Sequence, residues 1–331
     1  MNRRPLLSAL LLAAGLALNL GAAQAQNKAV IKLGWTTSDG AQDPYAVGAR
    51  AFKSAVERDT KGAVEVQLFP NRALGDERQM LEGMRFGTVD AGVITNAVIA
   101  QMEPAFSLND LPFLYGSEAQ AHKVLDGAVG QELAGKLAAK GIVVLGFMEG
   151  GFRNMINNKR PVSTPDDVKG VKYRVMQNPV YIGMFNSLGG SAVPMAWGET
   201  FTAVQQGTID GLEIPLAVIE ANKYYEVTKF LSLTNHTYSV NALVISRRAL
   251  DRLSPEQRNA VTAAARSATA QQRQVAAADA EKTLGALEKQ GMKVNRIAAV
   301  ADFRKNVTPV YDKFRQDGHG ALLDKALAAV K

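Results

Sequence analysis

Apolar and polar positions alternate from Ala63 to Phe69: Val64, Val66 and Leu68 point one way, Glu65 and Gln67 the other. That period of two marks a half-buried strand. The same alternation returns at Val171 to Met176, with Val171, Tyr173 and Val175 on one face and Lys172 and Arg174 on the other. Shorter apolar runs predict further strands at Val30–Trp35, Ala91–Thr95, Ile142–Met148 and Tyr238–Ile245. Between them the spacing turns helical. Asp43-Pro44 opens a helix whose Phe52, Ala55 and Val56 share a face and which Gly62 closes. Helices follow at Asp76–Phe86, Val180–Leu188, Glu199–Gln206 and Ala217–Tyr225, and a short one starts at Ser163-Thr164-Pro165. Strands that alternate with helices predict an α/β fold with largely parallel strands.

Two places read as crossings between halves, Gly150-Gly151 and the strand from Tyr238. Ser254-Pro255-Glu256-Gln257 is a capping box with proline at the first helical position. The Ala-rich stretch after it, interrupted by Gly285, predicts a helix reaching about Gln290, roughly 50 Å long at 1.5 Å per residue. It is long enough to lie across two lobes. A faint internal echo agrees with two related halves: Gly87-Thr88-Val89-Asp90 resembles Gly207-Thr208-Ile209-Asp210, each following a helix and leading into a strand. The expected organisation is a targeting segment at 1–25, lobe I at 26–150 and 239–278, and lobe II at 151–238 and 279–331.

Length and charge change this picture little. The 331 residues, 47% hydrophobic and 21% charged, suit two ordinary cores. The net charge of +7 comes from basic residues that alternate with acids along the helices, the pattern of a solvated surface and not of a nucleic-acid patch. Arg3 and Arg4, the apolar run Leu6–Leu20 and Ala23-Gln24-Ala25 form an export signal with cleavage after Ala25. An uncleaved anchor is the alternative, but the run is short for a membrane span, which takes roughly 20 residues. There is no cysteine, so no disulfide, thiol nucleophile or cysteine-held zinc enters. The three histidines, His122, His236 and His319, lack metal-ligand spacing. No G-x-S-x-G elbow, phosphate loop or dinucleotide fingerprint occurs, so no catalytic residue, metal or cofactor is expected.

Leu68-Phe69-Pro70-Asn71-Arg72-Ala73-Leu74-Gly75-Asp76-Glu77-Arg78 carries a family resemblance. It continues through Gly151-Phe152-Arg153, Gly170–Val175, Pro194-Met195-Ala196-Trp197, Gln206–Gly211 and Tyr224–His236. In this collinear order the chain resembles the DctP-like solute receptors of tripartite ATP-independent periplasmic (TRAP) transporters. The resemblance implies a two-lobed, type II-like periplasmic binding protein with a cleft between the lobes and a long helix spanning both. It implies a monomeric receptor that closes on an organic acid and delivers it to the TRAP membrane permease. A sensor partner presenting the same ligand is the alternative; a periplasmic enzyme is a third reading.

The resemblance also carries residues. Arg174 stands at the family's main carboxylate-binding arginine and Arg153 at its second, a guanidinium offering parallel donors to a carboxylate's two oxygens. Trp197 stands at an aromatic that packs on the ligand, Glu213 at a polar cleft position, and Gln177 follows on the same wall. Phe152, Trp35, Thr36, Glu77, Thr95 and Asn96 are placed at the cleft. Ile214 replaces an asparagine frequent in the family, which dries the pocket. Thr95 and Val98 stand where sialic-acid receptors carry Glu and Arg, which argues against that ligand. An aromatic or 2-oxo acid, a C4-dicarboxylate and a sugar acid remain open.

Overall fold

The structure, a computed structural model, describes residues 28–297 and 300–331. The targeting segment read at 1–25 lies outside the described residues. Among the described residues nine strands form one sheet: β1 (Ala29–Gly34), β2 (Val64–Phe69), β3 (Ala91–Thr95), β4 (Ile142–Asn157), β5 (Lys172–Val175), β6 (Ser191–Pro194), β7 (Gly211–Pro215), β8 (Phe230–Ser246) and β9 (Lys293–Arg296). Their order is β2-β1-β3-β8-β4-β7-β5-β6, with β9 beside β8. On each flank the strands are parallel, as the alternation of strands and helices implies. The long central strands β4 and β8 are antiparallel to each other and to their outer neighbours β7 and β3.

The two flanks repeat one plan. β3 lies parallel to β1 and antiparallel to β8, and β7 lies parallel to β5 and antiparallel to β4. The echoed motif explains why. Gly87 and Gly207 end their helices with φ of 86° and 70°, a conformation that glycine enters without strain. Asp90 then accepts the backbone N–H of Lys32 in β1, and Asp210 that of Lys172 in β5, each at 2.9 Å. One short sequence closes a helix and fastens the next strand in both halves.

β4 and β8 run through both halves, and each is longer than its apolar run suggests. β4 continues unbroken through Gly150-Gly151, and β8 begins at Phe230 instead of Tyr238. A register shift in β4 between Glu149 and Gly151 leaves Gly150 as a bulge. The helix Pro255–Lys289 is likewise continuous through Gly285. It starts at the expected capping box, with reciprocal bonds of 3.0 and 3.2 Å between Ser254 and Gln257. The middle of its buried face carries the small residues Ala264, Ala265, Ala268 and Thr269, which lets it lie close on β4 and on the helix Pro44–Asp59. It also touches the helix Leu216–Ala221, which belongs to the other flank.

Hydrogen bonds run between the two flanks. Ser38 donates from its backbone to Asn222 Oδ1 and from its hydroxyl to the Ala221 carbonyl, both at 3.0 Å, and Asn222 Nδ2 reaches Asp43 at 3.1 Å. At the bulge, a Cβ on Gly150 would lie 2.6 Å from the Ser239 carbonyl oxygen on β8. Gly150→Ala is therefore expected to push the crossing strands apart and cost about 1–3 kcal/mol, read as a lower thermal-unfolding midpoint. Gly135→Ala, in a helix with open space around the new methyl, should be neutral or stabilising. An unchanged midpoint for Gly150→Ala would contradict this view of the crossing.

Candidate ligand-binding site

β5 sends neighbouring residues to opposite faces. Tyr173 turns into the core against Phe185, with ring centroids 4.8 Å apart. Arg174 turns the other way, into a cavity between the halves, yet is only 4% exposed. Its Nε and Nη2 donate to the Met195 carbonyl at 2.9 and 2.8 Å, and its guanidinium lies 5.9 Å from the Trp197 ring centroid. Among the described residues no carboxylate comes within 4.0 Å of it. Burial pulls its pKa down, but a guanidinium stays charged in any folded protein. The result is a buried cation with no carboxylate in direct contact, on which Glu213 and Glu77 act only from farther off.

Arg153, on β4, lines the same cavity but is already matched. Its Nε donates to Glu213 Oε2 at 2.5 Å, and its Nη2 to Oε1 at 2.8 Å and to the Glu213 carbonyl at 2.5 Å. Nη1 reaches the Ser239 hydroxyl at 3.3 Å. Glu213 also lies 3.1 Å from His236 Nε2, while Nδ1 of that ring is 2.7 Å from the Thr234 hydroxyl. With the ring proton on Nε2, His236 donates to Glu213 and accepts from Thr234. Burial opposes ionisation of Glu213, but Arg153 and His236 outweigh it and hold its pKa below the ordinary range. His236 is pushed down chiefly by burial and stays neutral.

A second polar chain enters from the other half. Tyr45 donates to the Thr95 hydroxyl, and Thr95 donates its hydroxyl and its backbone N–H to Glu77 Oε1 at 2.9 and 2.8 Å. Burial raises the Glu77 carboxyl to about 7, against the pull of these bonds and of Arg174. Thr36, Met176, Ile214, Val218, Ser239 and Asn241 complete the wall. The cavity is small, about 30 Å³.

The structure thus brings together Arg174, Arg153, Trp197, Ile214, Thr36, Glu77 and Thr95 from the sequence reading. It does not bring the other five to this cavity. Trp35 is fully buried in the core, its Nε1 donating to the Ser38 carbonyl at 3.2 Å. Asn96 is saturated by the Phe106 carbonyl and Asn109. Glu213 spends both oxygens on Arg153. Gln177, at the end of β5, is exposed. Phe152 faces the opposite side, 5.4 Å from the Tyr238 ring centroid.

Phe152 instead lines a larger cavity of about 230 Å³ behind the crossing, against the long helix. Glu118, Glu149 and Asp279 line that space and no Lys, Arg or His does, so an anion meets only negative charge there. Tyr45, Met176, Ser239 and Asn241 were missed from sequence. The available signal was in β8, where Ser239 and Asn241 are polar positions two apart in an otherwise apolar run. Among the described residues no group of three or more His, Cys, Asp or Glu is placed to hold a metal ion.

Known proteins resemble this chain along most of its length. The family described as DctP, bacterial extracellular solute-binding protein, family 7, matches residues 36–317. The 2,3-diketo-L-gulonate-binding periplasmic protein YiaO of Escherichia coli K12 is 37% identical over 264 residues, 80% of each chain. A TRAP periplasmic solute-binding protein from Polaromonas sp. JS666, solved with D-erythronate, superposes with a TM-score of 0.87 at 38% identity, covering 91% of this chain and 98% of that one. The sugar acid binding protein DctPAm of Advenella mimigardefordensis DPN7T, solved with galactonate, gives 0.88 at 34% identity, covering 91% and 97%. With the paired crossing strands, the closed cavity and its uncompensated arginine, the chain belongs to the DctP family of periplasmic solute-binding proteins that serve TRAP transporters.

Proposed function

We propose that this protein is the periplasmic receptor of a TRAP transporter, that it binds a small organic acid, and that Arg174 holds the acid's carboxylate. The single observation that carries this is the Arg174 guanidinium, 4% exposed and without a carboxylate partner. A buried charge left unpaired costs several kcal/mol. A bound carboxylate removes that cost and supplies charge-assisted hydrogen bonds where water is excluded. Trp197 forms the wall beside it, while Thr36, Thr95, Glu77 and Ile214 approach from around the cavity.

Binding works by hinge closure. Lobe I, residues 26–150 and 239–278, moves against lobe II, residues 151–238 and 279–331, about β4 and β8 at Gly150 and Ser239. The ligand shifts the balance toward the closed form through contacts available only there. The Ser38–Asn222 and Asp43–Asn222 bonds favour that form. The family works with TRAP membrane permeases, and the receptor reading makes such a permease the partner of the closed monomer. The protein passes its ligand on unchanged and does not act as an enzyme.

Calorimetry with a panel of small acids on the refolded protein tests this. Arg174→Ala is expected to lose binding by several hundred-fold, since leaving one member of a buried pair costs about 3–5 kcal/mol, with the circular dichroism spectrum unchanged. Wild-type affinity in that variant would remove Arg174 from the site.

A pH dependence also follows. Glu77 titrates at about 7, and an anion bound close to it raises that value further, so binding takes up a proton. The acid ligand is ionised throughout this range. Affinity should therefore rise as pH falls from 8 to 6, by at most about tenfold per unit, and Glu77→Gln should flatten the profile. The same slope in that variant would contradict the role of Glu77.

A further inference from the structure

We infer that the ligand is a hydroxylated monocarboxylate and that Asn241 reads one of its hydroxyl groups. This rests on the acid-receptor reading and deepens it. Asn241 lies on β8, paired with Thr95 of β3 on one side and Met148 of β4 on the other. It is fully buried and lines the cavity of Arg174, on the same strand face as Ser239. Neither its Oδ1 nor its Nδ2 has a hydrogen-bond partner.

The other buried asparagines differ. Asn154 is engaged by Phe152 and Asn235, Asn157 by Tyr173 and Lys159, and Asn178 by Ala97 and Asp110. A buried amide with both ends unpaired destabilises the fold, and an apolar residue of similar shape would suit this otherwise apolar strand better. A ligand resolves the anomaly if it presents one group that both donates and accepts. A hydroxyl does so, giving its proton to Oδ1 and accepting from Nδ2. A methylene leaves both ends orphaned.

The charges limit the acid to one carboxylate. Arg153 is matched by Glu213, so among the described residues Arg174 is the one guanidinium lining the cavity without a carboxylate in contact. A second carboxylate on the ligand would find no free cation there and would face Glu77. Carboxylate on Arg174 and hydroxyl on Asn241 together describe a short hydroxy acid and disfavour a simple dicarboxylate.

The test is calorimetry on refolded protein with D-erythronate and galactonate as hydroxylated probes, butanoate as the bare chain and succinate as the dicarboxylate. Sites built to bond a hydroxyl reject analogues without it by large factors. The wild type should bind a hydroxylated probe at least about 100-fold tighter than butanoate or succinate. Asn241→Leu should lose most of that advantage while unfolding at no lower temperature, because it removes an unsatisfied amide. Equal binding of butanoate, tighter binding of succinate, or an Asn241→Leu variant that keeps the preference would overturn the inference and leave the acid receptor standing. A lower unfolding midpoint in Asn241→Leu would make the amide structural and overturn it as well. Binding of another acid from the wider panel but of neither hydroxylated probe would overturn the inference alone, and no binding of any acid in that panel would overturn both readings together.

Discussion

The buried ion pair of Arg153 and Glu213 determines how the rest of the site is charged. It joins β4 to β7, and through His236 and Ser239 it reaches β8, so three neighbouring strands meet at one network at the crossing. Breaking such a pair from one side costs about 3–5 kcal/mol, and here it would also strand His236. Because Glu213 is consumed in this way, it cannot neutralise Arg174. One arginine lining the cavity is therefore structural in its charge balance and the other is left open to an anion. That division follows from which strand each residue occupies and from the parity of its position.

The same economy appears in the frame. The glycine-to-aspartate motif occurs once in each half and does the same work, ending a helix and tying down a backbone N–H of a neighbouring strand. The halves are joined where strands β4 and β8 pass between them, where the long helix touches both flanks, and by side-chain bonds such as those of Asn222 with Ser38 and Asn178 with Asp110. Gly150 sits where the strands come closest, with no room for a side chain. The small cavity that holds Arg174 lies beside this crossing.

Much of the fold was legible because its signals are local. Strand parity at Val171 to Met176 set Arg174 on the face opposite Tyr173, and the capping box set the start of the long helix. Gly285 did not interrupt that helix, since helix on both sides outweighs the roughly 1 kcal/mol a single glycine costs. The first half of β8 was hidden because Thr234, Asn235 and His236 break its apolar pattern. His236 is buried to serve Glu213, and the Asn235 backbone N–H bonds to Asn154. The roles of Glu213 and Asn241 were not legible for a related reason. A carboxylate's partner on a distant strand, or an amide's lack of one, exists only once the chain has folded. Trp35 and Asn96 illustrate the converse: near a cleft in sequence order, both are fully engaged by the core behind it.

The central claim, that Arg174 is the receptor for a carboxylate, is tested most directly by a crystal structure of the refolded protein with a bound hydroxy acid. The account expects carboxylate oxygens within about 2.7–2.9 Å of the Arg174 guanidinium nitrogens, with the Arg153–Glu213 pair intact beside them. An acid seated in the larger cavity behind the crossing, or one whose carboxylate displaces Glu213 from Arg153 while Arg174 remains unpaired, would contradict it.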